Sequence, residues 1–431
     1  MGFEQLSDCK KWQFTDIPEF SGGVMSPLFA DNGAGLEPEE NTEAHGHMHV
    51  FTGVSARELK SYVSALSGAG IEKVYENEIG GNLFFQFRTA DGLFYVSLMQ
   101  NGTARFILDS CVTCTADDFG YTAYEPKRED TVLAQYSLHY DAMIRGTTCD
   151  CGMNYVYRLK DNSLIIIDGG EFEQATDLAV KDYLSFLREL TGTKAGEKLI
   201  ISLWLCTHAH NDHCDFMSKI LRFYADEITV ERAAFNFPAA ANVRHSVSVA
   251  AAKQRLKEKF PDVKYIKLHA GQVFHIADAE LKILVSSEDT AGLTPDEPFR
   301  GTNDTSVLFT VTTDSVKTLF LADCGDANGA VLTENYGKNE LRCTFLQAAH
   351  HGINEIFEVY DAITAEKVLL PQCRMNMDTR FGSVYDNLCR KYGENNVLFA
   401  NDKTDIFTIL NGGYVHSERP HVGTAYDGSE W

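Results

Sequence analysis

The stretch Leu205–Asp215, LCTHAHNDHCD, constrains this chain more than any other. It places His208, His210, Asp212 and His213, four metal-type ligands, within six residues. They follow on Leu199–Cys206, LIISLWLC, an apolar run of strand length. Such a continuous run reads as a strand buried on both faces, so the cluster lies where a central strand turns into a loop. That loop can aim His208 and His210 at one ion and Asp212 and His213 at a second. Imidazole with carboxylate suits zinc, or manganese or iron where more oxygens join.

A two-ion site needs further ligands, one of them shared. TLFLADCGD ends an apolar strand on Asp323, the form expected of a bridging carboxylate, with Asp326 as its nearby competitor. CTFLQAAHHG ends another strand on His350 and His351. Successive residues leaving a strand point to opposite sides, so one of this pair is expected to face an ion directly.

In chain order the motifs are Ile167-Asp168-Gly169-Gly170, the His208–His213 cluster, Asn303-Asp304-Thr305-Ser306, Leu321-Ala322-Asp323 and His350-His351-Gly352. With that series, residues 150–415 resemble the metallo-β-lactamase fold superfamily. Within it they are most similar to the metallo-hydrolase domain of ComEC-type competence proteins and their soluble relatives. The resemblance implies an αββα sandwich with a two-ion site in the cleft between its sheets. The implied ligands are His208, His210, Asp212, His213, Asp323 and His350, with His351 as the alternative to His350 or as a proton-transfer group. Asp168 would brace the ligand loop by hydrogen bonds, as carboxylates behind metal ligands do. Many superfamily members add a histidine between the cluster and the bridging aspartate. His245, His269 and His275 are the candidates, His245 first. The ComEC-like subgroup lacks that ligand, and Asn303 or Asp304 would approach the site in its place. The implied cofactor is two divalent transition-metal ions, zinc first. The implied reaction is hydrolysis by a metal-activated water that Asp212 orients, with His351 protonating the leaving group.

The rest of the chain divides around this site. From Asn154 strands alternate with helical stretches, the rhythm of an α/β layered domain, and from Leu281 strands dominate. Residues 1–130 read as a small α+β domain with an extended arm and a linker, and residues 131–431 as the hydrolase domain. In the first unit HMHVFTGV reads as a strand. Ser55 caps a helix with Leu59, Tyr62, Val63 and Leu66 on one face. Asp91-Gly92 joins two alternating strands as a hairpin, and TARFILD is a further strand. Residues 1–45 read as loops or an arm, and the acidic, turn-rich segment 111–135 as a linker. His45, His47 and His49 alternate along one strand face, which fits a solvent-facing strand better than a metal site.

Charge narrows the substrate. Asp and Glu number 61 against 38 Lys and Arg, a net charge of −23, which repels phosphate backbones unless metal ions or local basic patches offset it. Long duplex nucleic acid is therefore disfavoured, and a small anionic substrate such as a phosphodiester fits better. Arg300, Arg374 and Arg380 are candidates for an anion clamp. The eleven cysteines, an odd number spread along the chain, read as reduced thiols rather than a disulfide framework. Cys111 with Cys114 and Cys149 with Cys151 could make a zinc site, although the second spacing is short. The start MGFEQLSDCKKWQF is not a signal peptide, and no apolar run approaches the ~18 residues of a membrane span. A cytoplasmic protein without membrane contact, possible as a homodimer, is the expectation.

Overall fold

The apolar runs of the central region form two facing sheets. In the computed structural model, residues 12, 14, 16–31, 47–109, 121–138, 152–171, 175–237, 247–290, 301–400 and 403–420 are described. The first central sheet runs Lys264–Lys267, Arg232–Phe235, Leu199–Leu205, Leu164–Asp168, Asn154–Arg158, Thr131–Gln135, Lys403–Leu410 and Gly413–Pro420 in spatial order. The second runs Val273–Ile276, Ala279–Val285, Leu308–Thr313, Val316–Phe320, Phe345–Gln347, Lys367–Leu370 and Val397–Phe399. Each sheet has a parallel half, in which Leu164–Asp168 and Leu199–Leu205 lie side by side, as do Val316–Phe320 and Phe345–Gln347.

Between the sheets Ile165, Ile167, Leu203 and Leu205 meet Phe309, Phe320, Phe345 and Leu369. Helices Asp177–Thr191, Asn211–Phe223 and Val247–Lys259 cover the first sheet, packing Tyr183, Phe216, Met217 and Leu256 on Val156, Ile166 and Trp204. Helices Asp326–Asn335, Phe357–Ala362 and Gly382–Tyr392 cover the second, with Leu332, Tyr360 and Leu388 on Leu319, Leu346 and Leu370. The result is the four-layer αββα arrangement expected from the sequence. It also explains why LIIID and LIISLWL carry no polar alternation: apolar neighbours lie on both faces of these strands. Ligands in such α/β folds gather beyond the carboxyl ends of parallel strands, and Asp168, the His208–His213 cluster, Asp323 and the His350-His351 pair all stand there.

The N-terminal unit is a six-stranded antiparallel sheet with one helix. Its strands are ordered Val24–Asp31, His47–Thr52, Ala104–Asp109, Leu93–Leu98, Asn82–Arg88 and Glu72–Ile79. Helix Ala56–Gly68 is started by a capping box in which Ser55 Oγ accepts from Glu58 N and Glu58 Oε2 accepts from Ser55 N. It buries Leu59, Tyr62, Val63 and Leu66 against Phe85, Phe87, Phe94 and Phe106. The opposite face of the sheet puts Met48, Val50, Leu93, Tyr95 and Ile107 into the same apolar core as the sandwich. At this seam a Cβ on Gly271, whose φ is +87°, would fall 1.9 Å from the Phe84 ring, so both the backbone and the close approach require glycine.

A buried charge network ties the seam together. Arg105 Nη1 lies 3.2 Å from Asp289 Oδ1, and Lys267 Nζ donates to Asp109 Oδ1 at 3.1 Å. The His269 ring stands between two carboxylates, Nε2 2.5 Å from Asp109 Oδ2 and Nδ1 3.3 Å from Glu288 Oε1. Burial pushes that imidazole down, but Asp109 and Glu288 push it up further, to about 9. This seam charge is what occupies His269, one of the three histidines considered as an extra ligand.

Several segments differ from the sequence reading. Part of the arm is a strand, Val24–Asp31, and the end of the linker, Thr131–Gln135, is a buried strand of the first central sheet. Runs of eight and five residues without clear alternation carried too little pattern to separate from loop. Cys206 and Cys214 are joined in a disulfide rather than standing as reduced thiols. His49 is buried and stacks on Trp12 at 5.3 Å between ring centroids, so its strand face does not meet solvent. His45, the side chain of His47, and Cys111, Cys114, Cys149 and Cys151 lie outside the described residues. Among the described residues no helix is long and apolar enough to cross a membrane.

Candidate metal centre

The site is assembled from strand ends. Helix Asn211–Phe223 begins inside the His cluster, so Asp212 and His213 occupy its first turn while His208 and His210 stay on the preceding loop. His210 stands at the N-cap position without a capping side-chain bond, so the usual start signal of a helix is missing. Gly169 and Gly170 let the neighbouring strand end press onto this helix: Gly170 O accepts from Phe216 N and Gly169 O from Met217 N. A Cβ on Gly169 would lie 2.5 Å from Met217 Cγ.

Asp168 fixes the loop from behind. Its Oδ1 accepts from Thr207 N at 2.7 Å, and its Oδ2 accepts from Thr207 Oγ1 at 3.0 Å and lies 2.8 Å from His213 Nδ1. With Nδ1–H committed to Asp168, His213 turns its Nε2 to the cleft. His351 is set the same way, its Nδ1 donating to Pro371 O at 3.1 Å.

Those free nitrogens converge on two carboxylates. Asp323 Oδ1 is 3.1 Å from His213 Nε2 and 3.7 Å from His351 Nε2. Asp323 Oδ2 is 3.5 Å from His208 Nε2, and His208 Nε2 is 3.0 Å from His210 Nδ1. Asp212 Oδ2 is 3.1 Å from His351 Nε2. The ligand atoms form two groups, each within 4.8 Å: His208, His210 and Asp323 in one, and Asp212, His213, Asp323 and His351 in the other. Asp323 belongs to both.

His350 is in neither group. Its Nε2 is 3.6 Å from Asp323 Oδ2, its Nδ1 donates to Asn354 Oδ1 at 2.8 Å, and its side chain is 26% exposed. The geometry thus puts His351 where the sequence reading put His350. The strand ends at Gln347, and His350 and His351 both adopt left-handed backbone, φ 47° and 52°. Strand alternation does not operate there. Asp168 and Ala322 share this conformation, with φ of 60° and 49°, and such strained positions gather at functional sites.

The electrostatics call for cations. Burial pushes the His213 imidazole down, but Asp323, Asp168 and Asp212 hold it well above its ordinary value. Burial likewise opposes His351, yet Asp323 and Asp212 bring it up to about 9. Burial raises Asp323 and Asp212, and the surrounding histidines more than reverse this, holding both carboxyls below their usual range. His210 is pushed down to about 4 by burial and by His208. His213 Nε2, His351 Nε2 and both oxygens of Asp323 are buried without hydrogen-bond partners. Buried polar atoms without partners cost about 1–3 kcal/mol each, and divalent cations, taking the place of the imidazolium protons, would satisfy all four together. The donor set therefore fits two imidazole- and carboxylate-bound ions sharing Asp323.

The other candidates fall elsewhere. His275 lies on the edge strand Val273–Ile276, and its ring is 6.1 Å from Tyr121. His245 and Arg300 are outside the described residues. Arg374 Nε donates to Asp378, and its guanidinium lies over the Tyr385 ring. Arg380 lies over Phe381. Asp326 starts helix Asp326–Asn335 and, with Asp304, Asn354 and Glu355, lines a polar cavity of about 420 Å³ next to His350. Asn354 and Pro371, which orient the two last histidines, carried no sequence signal.

No family profile matches the chain, and no curated protein matches it. Among solved structures, the diiron β-hydroxylase CmlA from Streptomyces venezuelae is similar at 12% identity and a TM-score of 0.38, covering 66% of this chain and 54% of that one. The chain thus spans about half the length of that relative. A metal-dependent hydrolase of the β-lactamase superfamily is similar at 12% identity and a TM-score of 0.35, covering 68% of this chain and 100% of that one. Zinc-bound PqqB from Methylobacterium extorquens is similar at 9% identity and a TM-score of 0.30, covering 50% and 71%.

Proposed function

We propose that the chain is a metal-dependent hydrolase acting on a small anionic substrate, a phosphodiester first, through a two-ion centre of the ComEC-like type. The observation that carries this reading is Asp323, whose two buried, unpartnered oxygens face separate clusters of histidines. His208, His210 and Asp323 would hold one ion, and Asp212, His213, His351 and Asp323 the other. Two divalent cations there, zinc first, would lower the pKa of a shared water toward ~7 and supply hydroxide at neutral pH. Asp212, partly open to solvent, accepts the hydrogen bond that orients the nucleophile. Asp168 and Pro371 keep His213 and His351 in one tautomer. His350, with Nδ1–H tied to Asn354, leaves Nε2 as a base, which would take up the proton released by the attacking water and hand it on to the leaving group. The carboxylates lining the adjacent cavity favour a small substrate over a polyanion.

The test is turnover of a bis-aryl phosphate, a lactone and a thioester by protein loaded with zinc or manganese, beside metal analysis. Phosphodiester turnover is expected. His351→Ala is expected to lower metal content, and His350→Ala to lower turnover with metal retained. Turnover of the lactone or thioester alone would move the substrate class. No turnover at full metal loading would make the chain a metal-binding sensor or assembly protein.

A further inference from the structure

Besides His350, a second polar side chain at the cleft belongs to neither ligand group. Asn303 lies in the turn Thr302–Thr305, directly before the strand Leu308–Thr313. Its Nδ2 is 3.4 Å from His350 Nε2, and its Oδ1 is buried with no hydrogen-bond partner. Because His350 Nδ1 donates to Asn354, His350 Nε2 is an acceptor, which fixes the amide orientation: Nδ2 faces His350, and Oδ1 is the orphan.

The backbone of the turn that carries Asn303 is firmly held. Asn328 Nδ2 donates toward the carbonyls of Asn303, Asp304 and Ser306 at 3.4, 3.0 and 3.3 Å. Asn328 Oδ1 accepts from Gly325 N at 3.2 Å, which joins the turn to the chain just after Asp323. Thr290 Oγ1 donates to Asp304 O at 2.7 Å, and Thr305 Oγ1 to Thr302 O at 2.6 Å. A side-chain carbonyl oxygen left buried and unsatisfied, as Asn303 Oδ1 is, costs about 1–3 kcal/mol until a donor or a cation meets it. The neighbouring groups run from His350 Nε2 to Asp323 Oδ2 at 3.6 Å and on to His208 Nε2 at 3.5 Å. The His208, His210 and Asp323 group has three protein donors against four in its neighbour, so beside a shared water it is the one with room for a further protein donor.

We infer that Asn303 Oδ1 is a further protein ligand, the fourth donor to the ion held by His208, His210 and Asp323. The inference rests on the two-ion reading above. A neutral amide oxygen binds a cation more weakly than a carboxylate or an imidazole, so this is the ion that exchanges more readily.

Cobalt(II) titration of the apo full-length protein tests it, read by the visible ligand-field bands and by competition with a chelator. The unmodified chain is expected to bind two cobalt ions. Asn303→Ala is expected to weaken one of them tenfold or more and change its band intensity, leaving the other unchanged. Asn303→Asp, which keeps the shape and adds a charge, is expected to tighten that same ion. If Asn303→Asp binds both ions as the unmodified chain does, or more weakly, Asn303 is not a ligand, whether or not the alanine variant folds. Failure of the unmodified chain to bind two ions overturns the two-ion reading itself, a different result from either variant outcome.

Discussion

Raising the pH should loosen the seam between the N-terminal sheet and the sandwich, and His269 sets how much. Both of its ring nitrogens face carboxylates, so the folded protein holds it as an imidazolium. Its folded pKa is about 9 against 6.5 unperturbed. A group whose pKa is raised by folding contributes fully below its unfolded value and loses that contribution as pH rises through its folded value. The window therefore opens near pH 6.5 and closes above pH 9. A shift of that size corresponds to ~3 kcal/mol, a large share of a typical margin of ~5–15 kcal/mol. The assay is urea unfolding at pH 6.5, 8 and 9.5, followed by tryptophan fluorescence, for the unmodified chain and His269→Gln. Trp12 packs in the N-terminal core and Trp204 in the first central sheet, so one signal reports on both units. The unmodified chain should lose ~3 kcal/mol more than His269→Gln across that range, and the variant should start lower because Asp109 and Glu288 lose a buried partner. Parallel stability curves for the two proteins would refute the assignment of a buried imidazolium.

Three further outcomes follow from the geometry. Asp323→Asn should release one ion preferentially and cut hydrolysis by orders of magnitude, since a neutral group cannot offset two cations. Asp326→Asn should be nearly silent in metal analysis and in turnover, and the opposite pattern would move the shared carboxylate to Asp326. Gly169→Ala should cost about 1–3 kcal/mol through overpacking against Met217, read as a lower urea midpoint at unchanged slope.

The sequence was most legible where one local signal had one structural solution. The Ser55 cap, the Asp91-Gly92 hairpin and the double-faced apolar strands all appear where the residues place them. It was least legible where function overrides local preference. Helix Asn211–Phe223 starts without a capping bond because its N-cap residue is a candidate ligand. The last histidine pair could not be ordered from strand geometry, because two consecutive left-handed residues, rare for anything but glycine, turn His351 inward. Asn303 was visible only as one of two residues that would approach the site, since a single asparagine in a turn has many structural uses. The strand Glu72–Ile79, EKVYENEI, reads as polar because it is the sheet's outermost strand and mostly exposed.

The Cys206–Cys214 bridge reaches beyond the folded state. It closes a ring with a sequence separation of eight, and His208, His210, Asp212 and His213 all lie inside it. In the oxidised chain these four donors stay tethered as a small chelating macrocycle even after the sandwich has come apart. An ion that binds both the native and the unfolded chain stabilises the fold less than one that binds the native state alone. The same bridge that gathers the ligands thus narrows the stability difference between loaded and stripped protein.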